Sequence, residues 1–376
     1  MQKTCTNCVM DTSDPNITFD DQGVCHHCHT FYEQVKPAWH PDEQGRRELE
    51  VTLEAIRAAG KGKQFDCIIG VSGGLDSSYL TYLAKAEFAL RPLVFHVDAG
   101  WDSELAVQNI EKLLDSLGLE LFTEVIDWDE MRDLQLAFFK AGVPHIDTPQ
   151  DHAFFAAMYK FAQQYDVKWI LTGGNYATEC VNNPLEWMYY QSDLTQLRDI
   201  HRRFGTRPLK TFPTTNILRH KLYLPYVKGI RTIRPLNYVP YSKKDASELL
   251  VEKVGYQTYA RKHFESRFTA FYEGFWLFRK FGYDTRRVQL SSLILTGQIT
   301  RDAALEQLRL PPLDEETAKR EFAYVADKLN VSEQELQSYL EAPNHTFRDY
   351  KSQRWLYELG GRVSRLIRFE PGGARR

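Results

Sequence analysis

After residue 64, short apolar segments alternate repeatedly with longer amphipathic segments. The apolar segments have the length and composition of buried strands, and the segments between them have the periodicity of helices. A helix between two strands returns the chain to the edge at which the first strand began, so consecutive strands pair in parallel. We therefore predict an α/β fold with a parallel sheet that helices cover on both faces. The predicted strands are 65–71, 92–97, 121–126 and 168–172, and the predicted helices are 42–60, 75–88, 103–117, 129–140, 154–165, 242–250, 302–308, 315–329 and 332–340.

The loop after the first predicted strand has the residues of an anion-binding turn. It reads Ser72-Gly73-Gly74-Leu75-Asp76-Ser77-Ser78 and leads directly into a predicted helix. Its glycines let the backbone approach a ligand closely, its serines supply hydroxyls, and the helix N-terminus attracts negative charge. The loop follows neither the Walker A pattern nor the Gly-x-Gly-x-x-Gly dinucleotide pattern. A carboxylate inside an anion site would repel phosphate, so we assign Asp76 to a Mg²⁺ ion.

Four of the six cysteines form two Cys-x2-Cys pairs near the N-terminus. This spacing fits a tetrahedral Zn²⁺ ion held by four thiolates, and the turn-rich segment between the pairs needs such a staple to fold. A four-thiolate site has no open coordination position, so the zinc is expected to be structural. A histidine beside the second pair could replace a cysteine, but four sulfur ligands are the favoured interpretation. The predicted ligands are Cys5, Cys8, Cys25 and Cys28, and the neighbouring histidines are His26, His27 and His29.

The formal net charge of −3 hides two oppositely charged segments. Residues 98–200 contain 18 acidic and 6 basic side chains, whereas residues 201–290 contain 19 basic and 6 acidic ones. The basic segment suits an anion such as nucleic acid or a phosphorylated or carboxylated metabolite. The alternative is that the two segments attract each other or are simply solvated, and composition alone does not choose between them.

The loop that begins at Ser72 resembles the PP-loop of the ATP pyrophosphatase superfamily. Its members, which have an adenine nucleotide alpha hydrolase-like fold, cleave ATP to AMP and pyrophosphate while adenylating a carbonyl oxygen. The cysteine pairs and three further segments resemble the N-acetyl sugar amidotransferases, which convert a sugar acetamido group to an acetamidino group in lipopolysaccharide O-antigen biosynthesis. Those segments are Leu171–Glu179, Ile233–Lys244 and His263–Gly274. The resemblance covers nearly the whole chain.

The resemblance implies that ATP adenylates an amide oxygen and that ammonia then displaces AMP from the resulting imidate. The two glycines after the fourth strand are expected to face the same crevice as the PP-loop, because parallel strands end at one edge of the sheet. Lys243 or Lys244 is expected to reach the phosphates, although a solvated first helical turn is the alternative. Lys243 and Asp76 are assigned catalytic roles. The predicted ATP and Mg²⁺ ligands are Ser72, Gly73, Gly74, Asp76, Ser77, Ser78, Asp98, Gly173, Gly174, Asn175 and Lys244.

Substrate contact is assigned to the basic cluster at the start of the third family-like segment. Arg261, His263 and Arg267 are the predicted substrate residues, and a surface salt-bridge cluster is the alternative. His263 or Glu265 is expected to take a proton from the attacking ammonium, and the sequence leaves open which one does so.

The chain has no evident glutaminase nucleophile of its own. Position 2 is Gln2, Cys67 lies in a predicted buried strand, and Cys180 is not in a nucleophile elbow. We therefore expect a separate glutaminase subunit that supplies ammonia through a channel. The expected substrate is a nucleotide-linked acidic N-acetyl sugar, and neither a membrane nor nucleic acid is expected as a ligand.

Two other functions remain open at this point. A PP-loop tRNA thiolase is the main alternative, although it would have only Cys67 and Cys180 left to carry sulfur. A zinc-ribbon protein that binds nucleic acid and senses ATP without turnover is the third. The salt dependence of RNA binding would separate the thiolase from a sugar enzyme, and an Asp76→Asn variant that kept every activity would favour the third function.

The length of 376 residues suggests two or three domains. We assign residues 1–40 to a zinc-binding ribbon and residues 41–245 to the ATP-binding α/β domain, with an irregular insertion around 181–240. Residues 246–376 are assigned to a helical C-terminal region that contacts substrate or partner. No segment approaches the ~20 apolar residues of a membrane span, and the N-terminus lacks a signal-peptide pattern. A cytoplasmic location is therefore expected.

Overall fold

The computed structural model describes residues 3–259 and 264–366, with residues 362–366 described as backbone only. Its strands are β1 Cys67–Gly70, β2 Pro92–Asp98, β3 Leu121–Val125, β4 Trp169–Leu171 and β5 Arg231–Ile233. They form one parallel sheet in the order β3-β2-β1-β4-β5. The chain order reverses between β1 and β4, so a crevice is expected at the carboxyl ends of these two strands.

The four predicted strands are confirmed, and the structure adds a fifth in the region predicted to be irregular. β5 pairs with β4 in parallel, and Ile170 lies opposite Thr232. Arg231 and Thr232 are exposed, and Ile233 is the buried residue of this strand. A three-residue strand with one buried side chain produces no apolar period, so the sequence pattern does not reveal it.

Several helices begin at a side chain that accepts a hydrogen bond from the first turn. Asp42, Ser103 and Ser242 act in this way. The predicted helices are confirmed with two changes. The helix after β1 ends at Tyr82 and continues as a π-helical turn, and the helix before β4 begins earlier, at Thr148.

The α-helices are numbered in chain order. The first eight are α1 His26–Thr30, α2 Glu43–Ala59, α3 Leu75–Tyr82, α4 Glu104–Leu117, α5 Trp128–Ala141, α6 Thr148–Gln164, α7 Tyr176–Glu179 and α8 Leu194–Phe204. The next eight are α9 Lys243–Val254, α10 Arg267–Phe271, α11 Leu277–Phe281, α12 Arg286–Leu295, α13 Arg301–Arg309, α14 Glu315–Leu329, α15 Glu333–Glu341 and α16 Arg354–Leu366. The π-helical segments are Phe31–Val35, Leu83–Glu87, Arg219–Val227 and Tyr272–Trp276, and the 3₁₀ segments are Lys36–Ala38, Pro235–Asn237 and Phe347–Asp349. Among the described helices, none is both long enough and apolar enough to cross a bilayer.

The two faces of the sheet contribute to two different hydrophobic cores, as alternating side chains of a strand require. Ile68 lies in a core that continues into the C-terminal helices through Phe268 and Trp276. Ile69 lies in a second core, with Leu53 of α2. The sheet is therefore covered on both faces, and the C-terminal helices belong to the core on one of them.

The N-terminal segment is joined to the same body by a third cluster, in which the cysteine pairs pack with Trp187, Val288 and Leu295. Arg301 donates to the carbonyl oxygens of Cys8 at 3.0 Å and Cys5 at 2.8 Å. The three segments assigned to separate domains thus share side-chain cores.

Candidate functional site

The residues after β1 form a turn whose conformation depends on its glycines. Gly73 has a φ of +79°, which favours glycine, and Gly74 lies at the N-cap of α3 without a side-chain cap. Ser72 Oγ accepts from the Gly74 amide at 3.3 Å, and Ser77 Oγ lies 3.4 Å from the Ser72 amide as its acceptor. The structure therefore brings Ser72, Gly73, Gly74 and Ser77 together at the carboxyl edge of the sheet. Ser78 is fully buried below this turn, so its hydroxyl is not open to the crevice. We call residues 72–78 the phosphate loop.

The loop after β4 lies directly against the phosphate loop. A Cβ atom added at Gly173 would be 2.9 Å from the carbonyl carbon of Asp76 and 3.1 Å from the amide nitrogen of Ser77. Only glycine allows this approach. The loops that follow the first and fourth strands of the chain are therefore in contact at Gly173.

The buried side chain of Asn175 stabilises the loop after β4. It is fully buried, its Oδ1 accepts from the Thr178 amide at 2.9 Å, and its Nδ2 donates to the Gly173 carbonyl at 3.0 Å. Its side chain is therefore engaged in capping α7 and holding the Gly173 turn.

Three tyrosines hold the phosphate loop from one side. The hydroxyls of Tyr256 and Tyr259 donate to the Gly73 carbonyl at 3.3 Å and 3.1 Å. Tyr241 donates to the Asp76 carboxylate. Burial, reinforced by the charge of Asp76, raises the pKa of Tyr241 far above its usual range, so this phenol remains a donor. These tyrosines were not predicted as site residues, because an aromatic side chain in a sequence carries no signal of such a role.

Glu265 reaches the phosphate loop across 193 positions of sequence. Its Oε1 is 3.5 Å from Ser72 Oγ and would be 2.7 Å from a Cβ at Gly74. Backbone bonds fix this position, because the Ser103 amide donates to the Glu265 carbonyl at 2.9 Å and the Arg267 amide to the Trp101 carbonyl at 2.9 Å. The Glu265 carboxylate therefore lies near the phosphate loop, which already contains the carboxylate of Asp76.

A buried histidine supports the base of the phosphate loop. His96 of β2 is 8% exposed and lies between two hydrogen-bond acceptors. Its Nδ1 is 2.8 Å from the Val71 carbonyl, and its Nε2 is 2.8 Å from Asp102 Oδ2. Burial alone would lower the pKa of His96, but the hydrogen bond and charge of Asp102 outweigh it and raise this pKa. Both nitrogens face acceptors, so the geometry fits an imidazolium that links Val71 to the loop after β2.

A cavity of about 220 Å³ is lined by residues that follow β4 and β5, among them Glu179 and Arg234. A Cβ at Gly174 would be 3.4 Å from Arg234 Nε and 3.5 Å from Glu179 Oε2, and both of these residues line the cavity. The lining is polar and also includes Asn183, Tyr189, Gln191 and Glu273. Arg234 belongs to the basic segment of the sequence, which places a positive side chain next to the crevice.

The other predicted site residues lie in different surroundings. Asp98 accepts from the Gly100 amide at 2.8 Å at the end of β2. Lys243 begins α9, and its amide donates to Gln298 at 3.3 Å. The side chain of Lys244 is 81% exposed and lies 4.0 Å from Glu248, which is the arrangement of a solvated helical turn.

Arg267 faces α14 instead of the crevice. Its Nε and Nη2 lie 3.0 Å and 2.9 Å from Glu321 Oε2, and its guanidinium lies 3.3 Å from the ring centre of Tyr324. The structure thus places it in the salt-bridge arrangement that was the alternative in the sequence analysis. Arg261 and His263 lie outside the described residues.

The four N-terminal cysteines converge on one point, as predicted. Their sulfur atoms all lie within 4.8 Å of one another, and all four side chains are fully buried. The Cys5–Cys28, Cys8–Cys25 and Cys25–Cys28 sulfur distances are 3.8 Å, 3.6 Å and 3.7 Å. Four sulfurs at about 2.3 Å from a zinc ion would be about 3.8 Å apart, so the donor set fits Zn²⁺.

The neighbouring histidines are held outside the sulfur cluster. His27 Nε2 is 2.9 Å from Asp14, and His29 Nε2 is 2.9 Å from Asp20. His26 Nδ1 accepts from the Thr18 amide at 3.2 Å. Four sulfurs remain the better ligand set.

Neither remaining cysteine is placed for sulfur chemistry. Cys67 lies in β1 and is fully buried, which raises its pKa far above the usual range. Cys180 is 6% exposed, its sulfur lies 3.7 Å from the Ser292 carbonyl, and burial raises its pKa to about 12. A thiol with such a pKa is a poor nucleophile at neutral pH.

Comparison with known proteins gives a family match for the C-terminal part of the chain. Residues 265–364 match the family described as LPS biosynthesis protein WbpG-like, C-terminal domain. Over this segment, the match confirms a resemblance to proteins of LPS biosynthesis. The matched segment begins at Glu265, the residue that reaches the phosphate loop. No curated protein matches the chain.

Two solved structures show distant similarity to the chain. An NMN synthetase from Francisella tularensis matches with 15% identity and a TM-score of 0.30, over 58% of this chain and 90% of its own. An NH3-dependent NAD synthetase from Campylobacter jejuni, in complex with the nitrate ion, matches with 14% identity and a TM-score of 0.30. This match covers 72% of the present chain and 99% of the other. Similarity this distant identifies no reaction.

Proposed function

We propose that this protein is an ATP-dependent amidotransferase of LPS biosynthesis that converts a sugar acetamido group to an acetamidino group. The observation that carries the proposal is the contact between the phosphate loop and the first residue of the WbpG-like segment. Ser72 Oγ and Glu265 Oε1 are 3.5 Å apart at the crevice edge. A segment similar to LPS biosynthesis proteins is therefore part of the same crevice as an ATP-type phosphate loop.

The phosphate loop is suited to bind the pyrophosphate part of ATP. Its glycine backbone and the start of α3 present amide groups, which stabilise negative charge on phosphate oxygens. Asp76 within the loop and Glu265, which approaches Ser72 and Gly74, supply carboxylate oxygens, and these are ligands that Mg²⁺ prefers. The ion, when bound, neutralises charge on the triphosphate.

The reaction takes place in two steps. The amide oxygen attacks the α-phosphorus, the bond to pyrophosphate breaks, and an O-adenylated imidate forms. Ammonia then attacks the imidate carbon, and AMP leaves with the electron pair of the C–O bond. The protein contributes by holding the amide oxygen in line with the α-phosphorus. The polar cavity beside Gly174 is assigned to the sugar, with Arg234 directed to an anionic group such as a carboxylate or a diphosphate.

Ammonia is assigned to a separate glutaminase subunit. All six cysteines of this chain are buried, and four of them form the zinc-type cluster. A glutaminase cysteine has to meet its substrate, so buried thiols support an external source of ammonia.

The test uses the purified chain with ATP, ammonium chloride and a panel of nucleotide-linked N-acetyl sugar acids. We expect AMP and pyrophosphate to form in equal amounts, together with a product in which NH replaces one oxygen, as read by mass spectrometry. Asp76→Asn is expected to lower kcat by roughly 100-fold, because charge stabilisation at the triphosphate is lost.

The matched control is Ser116→Ala, a serine on the exposed surface of α4 that bonds the Lys112 carbonyl. It is expected to behave as wild type. Release of ADP in place of AMP would contradict the proposal. Loss of activity in Cys180→Ala with its fold retained would point instead to sulfur transfer.

A further inference from the structure

A patch of exposed apolar side chains lies on the π-helical segment Arg219–Val227 and the residue before it. Among the described residues, five of the fourteen exposed large apolar side chains lie between positions 218 and 227. Single exposed apolar residues are common on proteins, but a contiguous group marks an interaction surface. The five, which we call the apolar patch, line one open hollow together with Arg219, and they are Leu218, Leu222, Tyr223, Tyr226 and Val227.

The segment that carries the apolar patch is anchored to the protein body, so the fold itself exposes the patch. Leu224 is buried and belongs, with Ile230, to the core that the C-terminal helices share. The Ile230 amide donates to the Leu224 carbonyl at 2.9 Å and fixes the end of the segment. On the outer side, Leu222, Tyr226 and Val227 are 55%, 70% and 68% exposed. A ligand can therefore reach the patch without any rearrangement of the core.

Basic side chains lie in and next to the segment that carries the apolar patch. Residues 200–244 contain 11 lysines and arginines and no aspartate or glutamate. Arg219, Lys228 and Arg231 are exposed, and Lys228 Nζ lies 5.7 Å from the centre of the Tyr223 ring. We call these three cations the basic rim. The surface thus combines apolar contact area with positive charge, and it suits an occupant that is both apolar and negative.

The surface of an anionic lipid bilayer has both of these properties. Leucine and valine side chains enter the boundary of the acyl chains, and tyrosine rings prefer the level of the headgroups. Lysine and arginine are attracted by the negative headgroups, which would repel every carboxylate. A protein partner is the alternative, but protein surfaces generally carry charges of both signs. A uniformly negative surface is the better match for 45 consecutive positions without an acidic residue.

The segment has the length of a surface contact and not of a membrane span. Arg219–Val227 has nine residues, whereas a spanning helix needs ~20 apolar ones. A membrane ligand was not expected from the sequence, because so short a segment produces no hydropathy signal of a span. A segment that lies in the interface needs no such length, since its apolar face enters one leaflet only.

We propose that the apolar patch and the basic rim dock this protein on the surface of an anionic lipid bilayer. Leu222, Tyr226 and Val227 enter the interface, and the cations of the basic rim lie among the headgroups. The segment continues into β5, and Arg234, which lines the polar cavity, follows Arg231 by three positions. Docking therefore holds the strand that precedes Arg234 close to the bilayer. The inference does not depend on which reaction the protein catalyses.

The first test measures binding of the full chain to lipid vesicles by sedimentation. One set of vesicles is phosphatidylcholine alone, and the other contains about one third phosphatidylglycerol, which makes its surface negative. We expect binding to the anionic vesicles to be about tenfold tighter or more, and to weaken as sodium chloride is added. Equal binding to both sets overturns the proposal. Absence of binding to the anionic set also overturns it and leaves a protein partner as the occupant.

Substitutions in the apolar patch test the contact with the acyl boundary. The double variant Leu222→Ser/Tyr226→Ser is expected to bind the anionic vesicles about tenfold more weakly or worse, since two inserted side chains are lost. The matched control is Val51→Ser/Leu310→Ser, at positions that are 70% and 66% exposed outside the patch, and it should bind as wild type does. Thermal unfolding shows that each variant is folded. Wild-type binding by the patch variant, or an equal loss in the control, overturns the proposal.

Substitutions in the basic rim separate a local contact from attraction to the protein as a whole. Arg219→Gln/Lys228→Gln is expected to weaken binding to the anionic vesicles by about tenfold or more. Lys253→Gln/Arg309→Gln removes the same charge from exposed side chains of α9 and α13, and it should have a much smaller effect. Equal losses in the two double variants would reduce the binding to overall charge and overturn the assignment.

Amide hydrogen exchange locates the contact on the chain. With anionic vesicles, we expect added protection within residues 218–231, and protection confined to other segments overturns the proposal. Sedimentation velocity without lipid tests the remaining occupant, a second copy of the chain. A dimer that Leu222→Ser/Tyr226→Ser dissociates would assign the apolar patch to self-association and overturn the lipid assignment.

Discussion

A methyl group at position 173 would contact the backbone of the phosphate loop. Gly173→Ala therefore tests whether this loop binds ATP. The contacts would be 2.9 Å to the Asp76 carbonyl carbon and 3.0 Å to its oxygen. Backbone atoms cannot turn aside as a flexible side chain can, so Gly173→Ala has to move the loop. We expect kcat/KM for ATP to fall about 100-fold, because even a small displacement of the reacting groups lowers the rate by about that factor. Steady-state kinetics and ATP titration measure the effect.

The control for this substitution is Gly360→Ala in α16, where nothing lies within 4 Å of the added methyl. Alanine is favoured over glycine in a helix by about 1 kcal/mol, so this variant should be at least as stable as wild type. Tight ATP binding by Gly173→Ala would show that the phosphate loop is not the nucleotide site.

Single residues also show what the sequence could and could not predict. The phosphate loop and the cysteine pairs were predictable because each is a contiguous pattern whose residues act together. The sequence predicted that His263 or Glu265 takes a proton from ammonium, and it did not predict that the Glu265 carboxylate lies 3.5 Å from Ser72 Oγ. That contact depends on how two distant segments pack, and no local pattern encodes it. Arg234 beside Gly174 was missed for the same reason.

At the scale of elements, β2 and the phosphate loop are coupled through His96, and this coupling should depend on pH. The bond to Asp102 forms in the folded chain and raises the pKa of His96 above its unfolded value of about 6.5. The stabilisation is therefore fully present below that unfolded value and is lost as the pH rises through the higher folded pKa. We expect His96→Gln to lose about 1.5–3 kcal/mol at mildly acidic pH, with a smaller loss at alkaline pH. Urea unfolding across this pH range measures both values.

The control for the pH experiment is His345→Gln, because the His345 side chain is 47% exposed and lies 3.8 Å from Asp349. It should change the free energy of unfolding by less than about 0.5 kcal/mol at either pH. A stability difference between wild type and His96→Gln that grows with pH would contradict the imidazolium assignment.

The elements that were predicted correctly are those whose own sequence determines them. α4 has Ser103 as its N-cap and Gly118 in a left-handed conformation after its last residue, so both ends are marked. β5 is defined instead by its neighbour, since Arg231–Ile233 becomes a strand by pairing with β4. A short edge strand of this kind depends on tertiary context.

In the molecule as a whole, segments that are distant in sequence are joined by shared hydrophobic cores. Phe268 and Trp276 are fully buried in the core that also contains Ile68 of the central strand. The composition predicted that the chain has enough apolar side chains to form such cores. It did not predict which segments share a core, because an apolar residue does not specify which segment it will contact. The N-terminal ribbon likewise packs on α12 and α13, far from it in sequence.

Because the N-terminal segment shares a core with α12, we predict that loss of the four-cysteine cluster destabilises the rest of the molecule as well as that segment. Arg287 pairs with the fully buried Asp11 at 2.9 Å, and Ser291 Oγ accepts from the Val9 amide at 3.2 Å. Cys25→Ser should abolish bound zinc, measured as metal per chain, and unfold the segment that carries these contacts. Loss of a structural metal belongs to the mechanisms that cost more than about 4 kcal/mol, so the main thermal transition should shift strongly to lower temperature.

The matched control is His29→Gln, because His29 bonds Asp20 outside the sulfur cluster, and this variant should keep its zinc. A Cys25→Ser protein that lost its zinc but unfolded at the wild-type temperature would show that the ribbon is an independent unit.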